Sequence, residues 1–231
     1  MERNKSEQVT ALRAAFPVTL PVLTGFLCIG LAYGLLMQTK GYGPFWSALM
    51  SAIAFCGNMQ FVAITLLTTV FDPVQAFLLS LLVNARYLFY GLSLLEQYKG
   101  MGRLRPFLIY TLCDETFSLV SAVDPPEGVA RKAFYGWISG LNYLYWVVGS
   151  ALGGLLGQVL SFNTKGLDFA LTALFVVLFL EQWKKRENRP AGLIGLACAV
   201  LSLAIFRGDM VIPAMLFIVA ALLLGRKRLC T

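Results

Sequence analysis

Three charged side chains lie inside apolar stretches of the chain. Arg86 sits in Leu81-Leu-Val-Asn84-Ala-Arg86-Tyr87-Leu-Phe-Tyr90-Gly91, and Asp114 and Glu115 are neighbours within the apolar run 106–123. Arg86 is nine residues from Leu95, where its run ends, and the acids are eight and nine residues beyond Pro106. At 1.5 Å per helical residue, all three lie ~12–14 Å from one edge. A charge at the centre of a membrane span costs ~2.5–3.5 kcal/mol on insertion scales, so idle ones are not kept there. Adjacent helical positions diverge by about 100°, so only one acid can face Arg86 and the other is left for a cavity or a partner. An ion pair and a carboxyl able to exchange a proton are the chemistry this spacing offers. A structural ion pair with a snorkelling acid is the plainer alternative.

A second constellation is Phe55-Cys56-Gly57-Asn58-Met59-Gln60-Phe61, in the middle of a long apolar block. Glycine followed by two amides predicts a break in the helix. Unwound backbone at membrane depth is tolerated only where protein buries it or where it lines a cavity. A half-helix starting near Met59 points its free N–H groups into that cavity and forms an anion site. A long tilted helix with Asn58 and Gln60 bonded to its neighbours is the alternative.

The whole chain must carry these groups in a membrane. Of 231 residues, 58% are hydrophobic and only 13% are charged, about half the charge of a soluble domain, so a water-facing surface cannot be covered. The net charge of +7 reflects Lys and Arg in short loops, as topology signals, rather than a nucleic-acid surface. There is no His, which removes the commonest general base and metal ligand. Cys28, Cys56, Cys113 and Cys198 stand singly in apolar runs, with no C-x-x-C, so neither a metal site nor a cofactor site is expected. Intramembrane proteases need His or paired Asp, and neither is present, so no catalytic residue is assigned.

Charged residues cut the chain into apolar blocks at 14–39, 41–71, 73–95, 106–123, 133–164, 169–180, 190–206 and 210–225. A crossing takes about 20 residues. The blocks 41–71 and 133–164 are too long for one straight crossing and too short for two. If each enters and leaves on the outer side, Arg3, Lys5, Arg13, Lys99, Arg103, Arg105, Lys184, Lys185, Arg186, Arg189, Arg226, Lys227 and Arg228 fall inside. Only Lys40, Arg131, Lys132, Lys165 and Arg207 then fall outside, a clear positive-inside split. The expectation is an all-α polytopic bundle forming a single transmembrane domain over 1–231. It has about six full spans, two broken or re-entrant segments, and both termini in the cytoplasm. For 133–164 one long tilted helix remains open as the alternative. Span, broken segment and span over 14–95, repeated over 106–183, would make a parallel three-element repeat, with 190–225 as an added helix pair.

Gly30-x-x-x-Gly34, Gly136-x-x-x-Gly140 and Gly149-x-x-x-Gly153-x-x-x-Gly157, the last preceded by Trp146, are close-packing motifs. They can join helices within the chain or to another subunit. Phe45, Trp46, Tyr143, Tyr145 and Trp183 read as interfacial belt or core.

Taken together, Phe55-Cys-Gly57-Asn-Met-Gln60-Phe61, Asn84-Ala-Arg86-Tyr87-Leu-Phe-Tyr90-Gly91-Leu-Ser93-Leu, Cys113-Asp114-Glu115-Thr116-Phe117, Trp146-Val-Val-Gly149-Ser-Ala-Leu-Gly153 and Gly166-Leu-Asp168-Phe169-Ala resemble the AzlC family over nearly the whole chain. That family is the large subunit of bacterial two-component branched-chain amino acid exporters. The resemblance implies a secondary transporter in the bacterial inner membrane with a small hydrophobic AzlD-like partner subunit. The chain departs from many relatives in having Tyr87 in place of His and Asn58 in place of a small residue. A zwitterion with an apolar tail would then be held by Cys56, Gly57, Asn58, Met59, Gln60 and Phe61, with Asn84, Tyr87 and Tyr90 opposite. Phe55 and Phe117 would add apolar wall. Arg86, Asp114 and Glu115 would supply an ion pair and a proton carrier. Trp146, Gly149, Gly153 and Gly157 would serve packing or the partner. A scaffold subunit whose partner forms the pathway is the competing reading.

Overall fold

The computed structural model describes residues 2–70, 72–159, 176, 180, 183 and 189–205, and among these all regular structure is helical. The chain divides into two compact units, Met1–Phe162 and Asn163–Thr231. In the second unit the described residues include an apolar helix, α8 (Arg189–Ile205), matching the expected element at 190–206. Most of the expected span at 169–180, all of that at 210–225 and the C-terminal end fall outside the described residues.

In the first unit, α1 runs Glu2–Thr39 and begins well before the apolar block at residue 14. It stops because Gly41, at φ 86, takes the left-handed conformation that closes a helix. The Gly41 N–H donates to Gln38 O (3.0 Å) and the Tyr42 N–H to Met37 O (3.0 Å). Pro44, suited to a first helical position, then opens α2 (Pro44–Ile53). The helix breaks at residues 54–56 and resumes as α3 (Gly57–Thr68), so the block is broken as expected but just ahead of the glycine, and Gly57, Asn58 and Gln60 belong to the new helix rather than to the break. Next, α4 (Pro73–Ser93) starts from Asp72, whose carboxylate accepts the N–H groups of Val74 (2.9 Å) and Gln75 (3.3 Å). Among the described residues, two helices, Glu7–Thr39 and Pro73–Ser93, are long and apolar enough to cross a membrane.

The following elements correct two expectations. Residues 106–123 are not one span: α5 (Arg105–Tyr110) ends at Thr111, and α6 (Asp114–Ala122) starts afresh from Cys113. The described part of the block at 133–164 is not broken: α7 runs without interruption over Arg131–Val159, which is the long-helix alternative rather than the re-entrant one. The order of elements over 14–95 is therefore not repeated over 106–159.

Long helices α1 and α7 pack side by side and parallel. Trp137 Nε1 donates to Gln8 Oε1 (2.9 Å) near their starts, Thr19 Oγ1 and Tyr145 Oη are 3.2 Å apart farther along, and Gly30 meets Gly149 beyond them. Gly34 faces Ser150 and Gly154, Gly153 faces Leu31, and Gly157 faces Gln38, so these glycines of the packing motifs join helices within the chain. Gly140 has open space beside its Cα and belongs to no such seam.

This parallel seam fixes the direction of everything else. Leu67 O, near the end of α3, accepts from Tyr42 Oη (3.4 Å), so α2 and α3 leave and return to the Thr39 end of α1. Val123 O, after α6, accepts from Tyr135 Oη (3.5 Å), so α5 and α6 return to the end where α1 and α7 begin. An apolar cluster of Ala15, Leu94, Met101, Leu108, Val120, Phe134 and Ile138 holds that end together. Two helical hairpins thus enter from opposite ends and break at mid-depth. Arg131 and Lys132, expected outside, stand at the end where α1 begins.

Candidate functional site

Each hairpin turns at a cysteine. Cys56 precedes α3 with no side-chain cap, and Cys113 precedes α6 with its sulfur accepting the Thr116 N–H (3.4 Å). The turns expose polar backbone, and aromatic hydroxyls cover part of it. Tyr110 Oη donates to the carbonyls of Ala52 and Ile53, the latter at 2.9 Å, and Tyr143 Oη donates to Ala52 O (3.0 Å). Residue Tyr143, read from sequence as belt or core, therefore sits at mid-depth and closes the end of α2.

The middle of α7 braces both half-helices with residues one turn apart. Trp146 Nε1 donates to Gln60 Oε1 (2.6 Å) in α3, and Asn142 Nδ2 donates to Thr116 Oγ1 (3.1 Å) in α6. Gln60 Nε2 donates in turn to Ser51 Oγ (3.0 Å), and Ser51 Oγ donates to Ser150 Oγ (2.7 Å). Gln60, at 1% exposure, has its carbonyl and its amide nitrogen engaged, and serves as a brace behind the break. Trp146 lies against Gly57, where an added Cβ would meet its ring at 3.1 Å, and also packs on Phe26 and Tyr33. Phe61 is buried edge-on against Tyr33, with ring centroids 5.5 Å apart.

Gln60→Ala is expected to destabilise the protein more than Asn58→Ala, since Asn58 is only half-buried in the first turn of α3. Each buried group left without a partner costs ~1–3 kcal/mol, and the Gln60 change orphans Trp146 Nε1. Thermal unfolding in detergent reads the difference; equal midpoints would mean the network adds nothing.

The face of α4 toward the breaks carries the remaining residues. Cys56 Sγ donates to Asn84 Oδ1 (2.9 Å) and lies 3.5 Å from Tyr87 Oη. Arg86 Nη1 pairs with Asp114 Oδ2 at 2.5 Å, and its guanidinium lies 5.3 Å from the Tyr87 ring centre. Tyr90 meets Tyr87 edge-on and stacks on Phe117 at 4.2 Å. Both ion-pair side chains keep about a third of their surface exposed, 33% for Arg86 and 36% for Asp114, so the pair borders an opening. Arg86 Nε and Asp114 Oδ1 have no partner. With Asp114 taken, Glu115 is the acid beside it in the first turn of α6, half-buried. Phe55 is buried against Tyr143 (5.2 Å), while Met59 is half-buried in the first turn of α3.

The structure therefore brings Cys56, Asn84, Tyr87 and Tyr90 together with Arg86, Asp114 and Phe117, and it sets Gln60, Phe61 and Trp146 behind them as support. Gly149, Gly153 and Gly157 lie in the α1–α7 seam and take no part. Asn142, Thr116 and Tyr110 were not singled out from sequence. A lone amide in the apolar run of α7, and a hydroxyl three residues after Cys113, were the available signals.

The two tips differ electrostatically. First-turn residues of α3 include no acid, so its N–H groups at Gly57–Met59 meet no carboxylate of their own turn. In α6 the first turn carries Asp114 and Glu115. One tip favours an anion and the other a cation.

A sequence profile for the family described as AzlC protein matches residues 21–160. Over 98% of its length, and 90% of the relative's, the chain is 45% identical to the branched-chain amino acid transport protein AzlC of Bacillus subtilis. It is 41% identical to an uncharacterized membrane protein of Helicobacter pylori strain 26695, over 96% of this chain and 98% of that one. A more distant relative is the inner membrane protein YgaZ of Escherichia coli K12, at 25% identity over 79% of this chain and 78% of that one. No solved structure matches. With the family profile covering more than half its length, and a relative this similar along almost all of it, the chain belongs to the AzlC family.

Proposed function

We propose that this chain is a secondary transporter that exports branched-chain or similar small apolar amino acids across the bacterial inner membrane. It couples export to protons and works with a small AzlD-like membrane subunit. The observation that carries this reading is the meeting of a donor-rich tip and an acid-rich tip at the polar face of α4. A zwitterion's carboxylate fits the N–H groups of Gly57–Met59, with Asn58 beside them. Its ammonium fits the carbonyls of the 54–56 break and the acids of α6. Its tail fits against Phe55, Tyr90 and Phe117.

Charge supports the orientation. Arg13, Lys99, Arg103, Arg105, Arg131 and Lys132 all lie toward the end where α1 begins, with Arg3 and Lys5 on its first turns, whereas Lys40 lies at the other end. The basic end belongs in the cytoplasm.

A zwitterion moves no net charge, so the membrane potential alone cannot drive it. Glu115 is the proposed proton carrier because Arg86 engages Asp114. In proteoliposomes holding this chain and its small partner, a gradient of one pH unit should sustain about tenfold accumulation of leucine for one proton per substrate. Glu115→Gln should keep leucine exchange and lose accumulation. No leucine flux in the unchanged protein would reject the transport reading, and undiminished accumulation in the variant would reject Glu115.

A further inference from the structure

We infer that the α2–α3 and α5–α6 hairpins are an inverted pair of gates closing one mid-depth site from its two sides, with the Arg86–Asp114 ion pair holding the α5–α6 gate shut. This rests on the transport reading and adds the route of access to it.

The pairing follows from three observations. Each hairpin comes after a long helix, α1 for one and α4 for the other. The start of α4 follows directly on α3 at the Thr39 end, and Leu94, just past its end, belongs to the same apolar cluster as Ala15 at the opposite end, so α4 runs antiparallel to α1. The two helix-plus-hairpin units are therefore opposite in direction, as in inverted-topology transporter repeats. Second, both hairpins open with Pro-Phe (Pro44-Phe45 and Pro106-Phe107) and turn at a cysteine preceded by a large apolar residue (Phe55-Cys56 and Leu112-Cys113). Third, the turns reach the same depth, since Trp146 and Asn142 hold one each from a single turn of α7.

The two gates are not equally tied. The α2–α3 tip is fixed through Gln60, Ser51, Ser150 and Trp146, and it touches α4 through the Cys56–Asn84 contact. The α5–α6 tip has one bond to α7, Asn142 to Thr116, and meets α4 through the Tyr90–Phe117 stack and the Arg86–Asp114 pair, which borders an opening and leaves the buried Arg86 Nε and Asp114 Oδ1 without a hydrogen bond. With about a third of each side chain exposed, an arriving ammonium or carboxylate can compete for the paired Asp114 and Arg86 groups, and the buried Arg86 Nε and Asp114 Oδ1 gain partners once the pair opens. Opening it frees the α5–α6 tip toward the end where α1 begins. A ligand that prefers one of the two closures then shifts the other.

Thiol labelling with a membrane-impermeant maleimide tests this on the full chain in vesicles of known orientation. With native cysteines replaced, Thr69→Cys, just past α3, should label from one side only, and Asp124→Cys, just past α6, from the other only. Chains retaining Cys56 alone or Cys113 alone report the tips. Arg86→Gln should raise Cys113 labelling and lower Cys56 labelling, so that the ratio of the two rates changes by about tenfold, the shift that a ~1.4 kcal/mol bias between two states produces. Asp114→Asn breaks the same pair and serves if the arginine variant does not fold. Labelling of Thr69→Cys and Asp124→Cys from the same side, or tip rates that rise together or stay unchanged, would overturn the gate pair. If the opposed changes appear but leucine alters neither rate, the gates stand and the amino acid reading fails.

Discussion

Arg86→Gln is expected to lower transport and stability more than Arg86→Gln combined with Asp114→Asn. The reason is the state each leaves behind. In the single variant the Asp114 carboxylate remains at mid-depth with no cation, and stranding a buried charge is the costly condition. In the double variant two neutral amides can hydrogen-bond to each other across the same gap. The pair keeps about a third of its surface exposed, which weakens the penalty below that of a fully buried pair, so the order of the variants is the prediction. Expression-normalised leucine efflux from cells and unfolding temperature in detergent both read that order. A double variant at least as damaged as the single one on both measures would remove the ion pair as a determinant. Arg86→Lys should rescue charge but lose the guanidinium's fork and its place over the Tyr87 ring, and so fall between wild type and Arg86→Gln.

The sequence was legible where a residue type has only one comfortable place. Gly57 between Cys56 and Asn58 signalled the first break, and the structure turns just before it, at 54–56, with Gly57 opening α3. Matched depth brought Arg86 to the Asp114–Glu115 step, although which acid would answer depended on side-chain direction. The second break was hidden. Thr111-Leu-Cys113-Asp-Glu-Thr116 contains neither Gly nor Pro, and its acids looked like cargo on a helix rather than the first turn of a new one. What stops α5 is tertiary: Tyr110 turns to the α2 carbonyls, and Cys113 with Thr116 caps α6. Length misled in the other direction. A block of 32 residues suggested a hairpin at 133–164, but its glycines at 149, 153 and 157 are spaced to seat a long helix against α1. These two errors compensate. Exchanging a crossing at 106–123 for a hairpin, and a hairpin at 133–164 for a crossing, leaves the end of α7 on the same side as expected. Only Arg131 and Lys132 change ends, and they join the other basic residues.

Gly34→Ala and Gly153→Ala should each prevent the α1–α7 seam from closing and cost ~3 kcal/mol or more, at the upper end of what overpacking does. A Cβ at Gly34 would strike the Ser150 carbonyl oxygen and the Gly154 nitrogen, and one at Gly153 would strike the Leu31 carbonyl oxygen. These are backbone atoms, so no rotamer change relieves them. The neighbours are graded: a Cβ at Gly149 would come 2.9 Å from Phe26 O, and one at Gly30 would come 3.0 Å from backbone of Gly149. Between lipid-embedded helices close contact is itself the attraction, because the bilayer is as apolar as their side chains. Separating the backbones by even an ångström therefore removes the force that holds them, in addition to adding the clash. The same helices contain their own controls. Gly25 in α1 and Gly140 in α7 have nothing within 4 Å of an added Cβ, so alanine there should be neutral or stabilising by up to ~1 kcal/mol through helix propensity. Unfolding temperatures of the four variants in one detergent separate close packing from propensity. Equal effects at Gly34 and Gly25 would mean that the seam does not hold the unit together. If Gly153→Ala is destabilised as expected, its tips should also lose register, because Asn142 and Trp146 ride on the same helix and carry both hairpins with them.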